Sequence, residues 1–435
     1  MTGQEVASLK AIRGRRSILG FCLLACLLVG GATQRAIMVD AILQILIIAG
    51  SAYALMGAQH LSKAMRAGII IFSLTLAVGV FQLIPLPLFL IDIGRLDSLL
   101  PFTGGDPSVT VDAAPISLSL SRTIQAIIFG LTPVVFFIAA ASLSQEKFAT
   151  LLPFFVIGLV CNLIAAGLQY SFSSEVTLSD LLGYRVMVGM FANVNHFSTL
   201  VFASLPLIIY FGFFHDRALI AVLLLALTFL ILLAAGSRAG ILLGLGVVAI
   251  SIGSLLWRGR IGTLAMVILL ILLIVYGYGA LVQIGSQQLD ADFGRREFAL
   301  TTWQAIQDNW LWGTGFGTFD LVYPTYEKPQ MIYASYVNHA HNDFLELLLE
   351  GGVATAMIFA IYAIMLIVRA ARVYNRPLQR LVLLSILVIL LHSLVDYPLR
   401  TMAIAMTFAF FNVLFFCDFD LTPQAMERRE EKTYQ

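Results

Sequence analysis

"YVNHAHNDFLELLLEGGVATAMIFAIYAIML", Tyr336 to Leu366, changes character halfway. Its first part gathers His339, His341, two asparagines and the acids Asp343, Glu346 and Glu350. The rest is apolar and uncharged. An α-helix needs about 20 such residues to cross a bilayer, so the stretch reads as a membrane helix entered from a polar edge. The same apolar texture runs outward through the chain. Of 435 residues, 60% are hydrophobic and 12% charged, with a mean hydropathy of +0.92. Soluble domains carry about a quarter charged residues. The shortfall is spread along the whole length, which gives an all-α polytopic membrane protein. The net charge of +1 leaves no basic surplus that would point to nucleic acid.

Twelve segments qualify as spans: 17–33, 41–59, 67–90, 123–142, 149–169, 194–214, 218–235, 239–257, 262–283, 345–368, 380–396 and 401–417. This divides the chain into nine spans within 1–283, a large loop over 284–343, and three spans with a short charged tail over 344–435. Pro85 and Pro87 are expected to kink the end of the third span. The first segment follows the basic "LKAIRGRR" and has the look of a signal peptide. Further spans follow at once, so it reads as an uncleaved span. Cys22, Cys26, Cys161 and Cys417 all fall in apolar segments without a CxxC pair, which argues against a disulfide framework or a thiolate zinc site.

Orientation follows from the bias of Lys and Arg toward the cytoplasm. With the N-terminus inside, 17 of the 26 basic residues are inside and 17 of the 25 acidic ones outside. Both termini are then cytoplasmic. The outer side receives the long loops, 92–122, 171–193 and 285–343. Loops of that length usually carry function. The largest is expected to fold over the outer face, with an amphipathic helix near Arg296–Asn309.

Asn342 or Asp343 can cap the tenth span, and Glu346 follows Asp343 at capping-box spacing. Capping leaves His341 unexplained, along with Glu350, an ionisable residue inside the apolar span. His341 therefore reads as functional and His339 as a solvated loop histidine. The pair lacks an HxxxH spacing or a cysteine partner, so it argues poorly for metal. Arg238, in the tight "GSRAG" turn, reads as a cation aimed at a lipid phosphate rather than an arginine that only snorkels. Arg295 and Arg296 are candidates for the same role, because guanidinium grips phosphate with a planar fork. Adjacent residues face different ways on a helix, and Arg296 is favoured as the inward one. "GTGFGTF", Gly313–Phe319, follows no strand and matches no nucleotide loop, so it reads as a turn. His392, Asp396 and Arg400 end the eleventh span, where Asp396 is expected to pair with Arg400. Asn193, Asn195 and His196 open the sixth, where His196 reads as packing.

Arg238, Arg295 or Arg296, His341, Asp396 and Arg400 all map to one membrane face. Polar groups near lipid are costly, so such a cluster implies a shared polar ligand. Several arginines suit a lipid-linked phosphate or diphosphate, and a histidine beside them suits proton transfer.

At these residues the sequence resembles O-antigen ligases and the related O-antigen polymerases. The pattern is His341, Asn342, Gly352 and Thr355 in "HNDFLELLLEGGVAT", joined by "GSRAG" and "HSLVDYPLR". The resemblance runs from about Gly189 to Phe416. It implies about twelve spans of a GT-C-like fold in the bacterial inner membrane, with the site facing the periplasm. The implied activity moves a glycan from undecaprenyl diphosphate to an acceptor hydroxyl, with inversion and without a metal or other cofactor. Carried over, Arg238 and Arg296 or Arg295 would bind the diphosphate, and His341 would be catalytic. Asn342, Glu350, His392, Asp396 and Arg400 would support them. Asp290 and Asp292 in "LDADF" have DxD spacing, a weak metal candidate beside the arginines. The acceptor stays open: lipid A–core for a ligase, another lipid-linked glycan for a polymerase, or a protein hydroxyl. A transporter of lipid-linked glycans would rather show midplane charges and two related halves, and neither is present.

Overall fold

The structure, a computed structural model, describes residues 17–33, 38–56, 63–91, 113–172, 188–215, 217–256, 263–286, 290–328 and 337–421. The basic N-terminal stretch, the charged tail and most of the loops 92–122 and 171–193 lie outside these residues. So do the side chains of Asp290 and Asp292.

Each of the twelve apolar segments contains a helix. In chain order the helices are α1 (Ser17–Val29), α2 (Met38–Leu55), α3 (Lys63–Phe81), α4 (Leu120–Ala141), α5 (Leu152–Phe172), α6 (Val194–Phe214), α7 (Ala218–Ala235), α8 (Arg238–Leu256) and α9 (Thr263–Ser286). Two helices of the large loop follow, α10 (Asp290–Asp308) and α11 (Phe319–Tyr326), and then α12 (Asp343–Arg372), α13 (Pro377–His392) and α14 (Met402–Phe416). Among the described residues, α2, α4, α5 with the turn before it, α6, α7 and α12 are long and apolar enough to cross a membrane, and the other six apolar helices are shorter. The chain is an all-α polytopic membrane protein.

α6 and α14 are apolar on every side, which is the pattern of a helix enclosed by others. Both are buried along most of their length, and α6 packs against α7, α8 and α13. Rings of Phe148, Phe155 and Phe410 stack beside them at centroid distances of 5.4 and 5.0 Å. α7 and α9 instead expose Leu219, Leu223 and Leu230, and Ile271, Ile274 and Val275. Such residues are at home against lipid.

The ends of the bundle differ in chemistry. At one end Arg369 of α12 donates to the carbonyls of Phe415 and Cys417 and to Asp418, and Gln379 of α13 donates to the carbonyl of Phe419. This fixes the chain as it leaves α14. The first turns of α6, α8 and α12 and the 393–401 connection gather at the other end.

Two features there depart from the sequence reading. Pro85 and Pro87 do not kink the third span: α3 ends at Phe81, and Pro85–Pro87 (β1) pairs antiparallel with Ala113–Pro115 (β2). Proline at an edge strand gives up no ladder bond that a helix interior would need. The tenth span is also not one straight helix. Gly352 takes φ 57°, ψ −148° and breaks α12. The break frees the carbonyls of Leu349 and Glu350, which accept from the N–H groups of Thr314 and Gly315 at 3.0 and 2.9 Å. The N–H of Val353 in turn donates to Leu311. The glycine run is therefore a turn, as its sequence suggests, and one fitted into a helix kink. A Cβ on Gly313 would meet the Glu350 carbonyl at 2.4 Å, and one on Gly352 the Leu311 carbonyl at 2.5 Å. Gln82, buried just past α3, clamps the joint by donating to the Glu350 carbonyl (2.7 Å) and accepting from the Phe316 N–H (3.0 Å). α10 and α11 lie over this end on a small core of Ala305, Ile306, Phe319, Val322, Tyr323 and Leu349.

Candidate active site

The polar edge of α12 is built in two steps. Asn342 is the N-cap, and its side-chain oxygen accepts from the Leu345 N–H at 3.0 Å. Its amide donates back to the Leu394 carbonyl at 2.8 Å, tying the start of α12 to the end of α13. The residue before it, His341, has φ 50°, a left-handed conformation uncommon outside glycine. Strain of this kind collects at functional sites. Glu346 does not close a capping box with Asp343. It reaches past the cap to the Ala340 N–H (3.0 Å) and to Nδ1 of His339 (2.8 Å).

His339 is thus buried and bonded rather than solvated, and its ring stacks on Tyr397 at 4.2 Å. It belongs to a charge network centred on Arg400. That guanidinium donates to Glu350 at 2.8 Å and lies 3.5 Å from Glu346 and 3.8 Å from Asp343. The three acids recur on one face of α12 at helical spacing. Burial opposes the charge on Arg400, but the carboxylates outweigh it and hold its pKa above the ordinary arginine value. Glu350 also accepts from the Phe319 N–H at 3.3 Å, which docks α11. The expected Asp396–Arg400 pair does not form. Pro398–Arg400 is a short 3-10 turn, so residues four apart leave it toward different neighbours.

Asp396 forms the second network. Its Oδ2 accepts from the Asn195 amide at 2.6 Å and lies 3.6 Å from Arg295. Its Oδ1 accepts from the Tyr397 N–H at 2.9 Å and faces Nδ1 of His341 at 3.4 Å and Nε2 of His196 at 3.7 Å. Burial acts to raise the Asp396 pKa, yet the two facing histidines prevail and hold it well below the usual carboxylate range. His196 is buried, as a packing histidine should be, with Nδ1 on the Thr401 hydroxyl at 2.5 Å. His392 is buried behind, bonded to Thr199 at 2.7 Å, and does not reach the pocket.

His341 keeps 25% of its side chain exposed. With Arg295, Arg296 and Asn342 it lines an open cavity of about 280 Å³, which Leu394 and Val395 border on the apolar side. Its ring is held edge-on against Tyr397 at 5.0 Å and beside Phe298 at 5.7 Å. Arg296 is not the inward arginine. One residue of α10 is about 100° of turn, and Arg295 is the one aimed at Asp396 while Arg296 is exposed on the pocket wall. Arg238 does not line this cavity. It follows Ser237, whose hydroxyl donates to the Asn195 side chain at 2.8 Å and accepts from the Gly240 N–H at 3.1 Å as the cap of α8. Gly236, at φ 69°, makes the tight turn possible.

Sequence reading passed over Tyr397, Phe298 and Gln82, and gave Asn195 little weight. "NVNH" carried the only local signal for Asn195, since Asn193 caps α6 and bonds the Asn195 N–H at 2.8 Å. Among the described residues, no group of three or more His, Cys, Asp or Glu is arranged to hold a metal ion.

Residues 222–360 match the family model described as O-antigen ligase. The match takes in the Arg238 turn, α10 with both arginines, His341 and the α12 kink, and stops short of Asn195, Asp396 and Arg400. No curated protein matches the chain. Residues 222–360 are thus similar to the O-antigen ligase family, the family that the stretch around His341 resembles.

Proposed function

We propose that this protein is a glycosyltransferase that moves a glycan from undecaprenyl diphosphate to an acceptor hydroxyl at the periplasmic face of the bacterial inner membrane. In its first form it is an O-antigen ligase with lipid A–core as acceptor. The observation that carries this reading is the pairing of His341 with buried Asp396 on the wall of a pocket that also holds Arg295 and Arg296. All twelve apolar helices are read as membrane crossings of a GT-C-like fold. The Lys and Arg bias places both termini in the cytoplasm.

With Nδ1 turned to Asp396, His341 has Nε2 left for substrate. A carboxylate behind an imidazole fixes its orientation and favours the imidazolium that forms. Nε2 takes the proton of the acceptor hydroxyl as that oxygen bonds to the anomeric carbon. The bond from that carbon to the diphosphate oxygen breaks on the opposite face, inverting the centre. Arg295 and Arg296 stabilise the charge gathering on the departing diphosphate, and Arg238, which does not line the cavity, is left for the more distant part of the donor. The proton on Nε2 is then available to the diphosphate. The cavity, about 280 Å³, is slightly smaller than the usual ligand site of about 300–1,000 Å³, so it suits the reacting centre of the donor, with the rest of the glycan outside.

The test is a reconstituted transfer reaction with an undecaprenyl-diphosphate oligosaccharide and lipid A–core. Glycan on lipid A–core, lost in His341→Ala by about a hundredfold or more, is the expected result. Lengthened lipid-linked glycan instead would make the enzyme a polymerase. No covalent product from folded protein would reject the reading.

A further inference from the structure

Asp396 and His341 approach one another from different connections, one after α13 and one before α12, and something must fix the carboxylate. Asp396 lies three residues beyond the Ser393 cap of α13, in a connection without regular helix. Its backbone therefore does not set the direction of its side chain as a helix would. Asn195 is on α6, a helix enclosed by its neighbours, and its backbone is fixed by the Asn193 cap. Its amide gives one of the shortest contacts of the site, 2.6 Å to Oδ2. That contact occupies the oxygen nearer Arg295 and leaves Oδ1 to face His341 and His196. The other end of the same side chain accepts from Ser237, the residue before Arg238. A single amide thus joins three segments that are far apart in sequence: the first turn of α6, the Gly236–Arg238 turn and the 393–401 connection.

We infer that Asn195 is a positioning residue, which aims the Asp396 carboxylate at His341 and Arg295 and registers the Arg238 turn against them. Its amide needs both of its functions, a donor toward Asp396 and an acceptor from Ser237. Leucine fills the space with neither. Aspartate keeps the shape and the acceptor but replaces the donor with a second negative charge beside Asp396. Both variants should leave His341 in place in the sequence yet unaimed. The inference rests on the catalytic role proposed for His341, but the aiming itself can be read without turnover.

The experiment measures carbethoxylation of individual histidines by diethyl pyrocarbonate and mass spectrometry, in purified full-length protein. His341 is partly exposed, whereas His196, His339 and His392 are buried and report any general loosening. Asn195→Leu and Asn195→Asp should each speed His341 modification about threefold or more while the three buried histidines stay protected. Asp396→Asn should do the same, and Asn195→Leu combined with Asp396→Asn should add nothing further, because the two act along one path. In the transfer assay kcat should fall about tenfold, the effect of one lost hydrogen bond to a buried charge, and the KM for donor should change less. Unchanged His341 reactivity in both Asn195 variants overturns the inference. So does equal loss of protection at His196, His339 and His392, which would make Asn195 a structural residue only. Absence of transfer by the unsubstituted protein would count against the proposed function and leave the reactivity result to decide the inference.

Discussion

Arg400→Met should destabilise the protein without weakening its hold on the lipid-linked donor. The sequence offers Arg400 as one more cation for a diphosphate. In the structure its guanidinium faces Glu350, Glu346 and Asp343 at 2.8, 3.5 and 3.8 Å. Removing one partner from a buried ionic group costs about 3–5 kcal/mol, because the remaining charges stay buried. Each carboxylate retains other donors. Glu346 keeps His339 and the Ala340 N–H, Asp343 keeps Ser393 and the Leu399 N–H, and Glu350 keeps the Phe319 N–H. The lower end, about 3 kcal/mol, is therefore expected. At about 2.1 cal/mol/K of unfolding entropy per residue and 435 residues, that lowers Tm by roughly 3 °C. Adding Glu350→Gln should recover part of the loss by removing one uncompensated charge. The assays are thermal unfolding in nanodiscs and binding of an undecaprenyl-diphosphate glycan, with Arg295→Ala alongside. Donor affinity should stay within about twofold in Arg400→Met, as expected for a group bound elsewhere, and fall about tenfold in Arg295→Ala, the effect of a lost charged hydrogen bond. An Arg400→Met protein with unaltered Tm and a tenfold weaker grip on donor would refute this division of the charges.

Gly352→Ala should cost about 1–3 kcal/mol, the range for a strained backbone position, because φ is positive and the new Cβ would approach the Leu311 carbonyl at 2.5 Å; the Tm of the purified variant measures this. Arg296→Ala should weaken donor binding less than Arg295→Ala, since only Arg295 is held by Asp396; equal losses in a binding titration would argue against that ranking. Asp396 has a folded pKa below its unfolded value of about 3.9. Its charge therefore contributes stability that is complete above about pH 4 and is lost as pH falls through the lower folded value. Asp396→Asn should be the less stable protein at pH 7, with the gap to wild type closing in strong acid. A gap of constant size from pH 7 to pH 3 would contradict the assignment.

The bundle was legible because hydropathy is a local property: each apolar segment contains a helix, and α6 and α7 begin and end as their sequences indicate. His341 was legible because no capping rule accounted for it. What escaped the sequence depends on phase or on distant partners. Arg295 and Arg296 differ by one helical step, which composition does not report. Asp396 and Arg400 have the spacing of a helical ion pair, but Pro398 helps turn the chain into a 3-10 segment and the pair parts. The kink at Gly352 needs Gly313 and Gln82 beside it, 39 and 270 residues away in sequence. No pattern within α12 alone could announce that a glycine loop fits there.

The question raised by the polar edge of α12 is why acids and arginines destined for opposite tasks should share so small a space. Tyr397 supplies the partition. His339 stacks on its ring at 4.2 Å, while His341 and His196 meet it edge-on at 5.0 and 4.7 Å. On one side lies the Arg400 network, in which three carboxylates outnumber one arginine and His339. On the other, Asp396 faces Arg295, and Arg296 on the pocket wall brings further positive charge. Only the second side has electrostatics that would welcome a diphosphate. The two histidines of a three-residue stretch are thereby assigned different work: His339 anchors the start of α12 through Glu346, and His341, in its strained backbone, is left facing the pocket. A Tyr397→Leu substitution would test the partition, since it keeps an apolar filler but removes the ring. Both histidines should lose their fixed orientation, seen as faster carbethoxylation of His339 and His341 together. Modification confined to His341 would mean that Glu346 alone holds His339, and that Tyr397 does not divide the two networks.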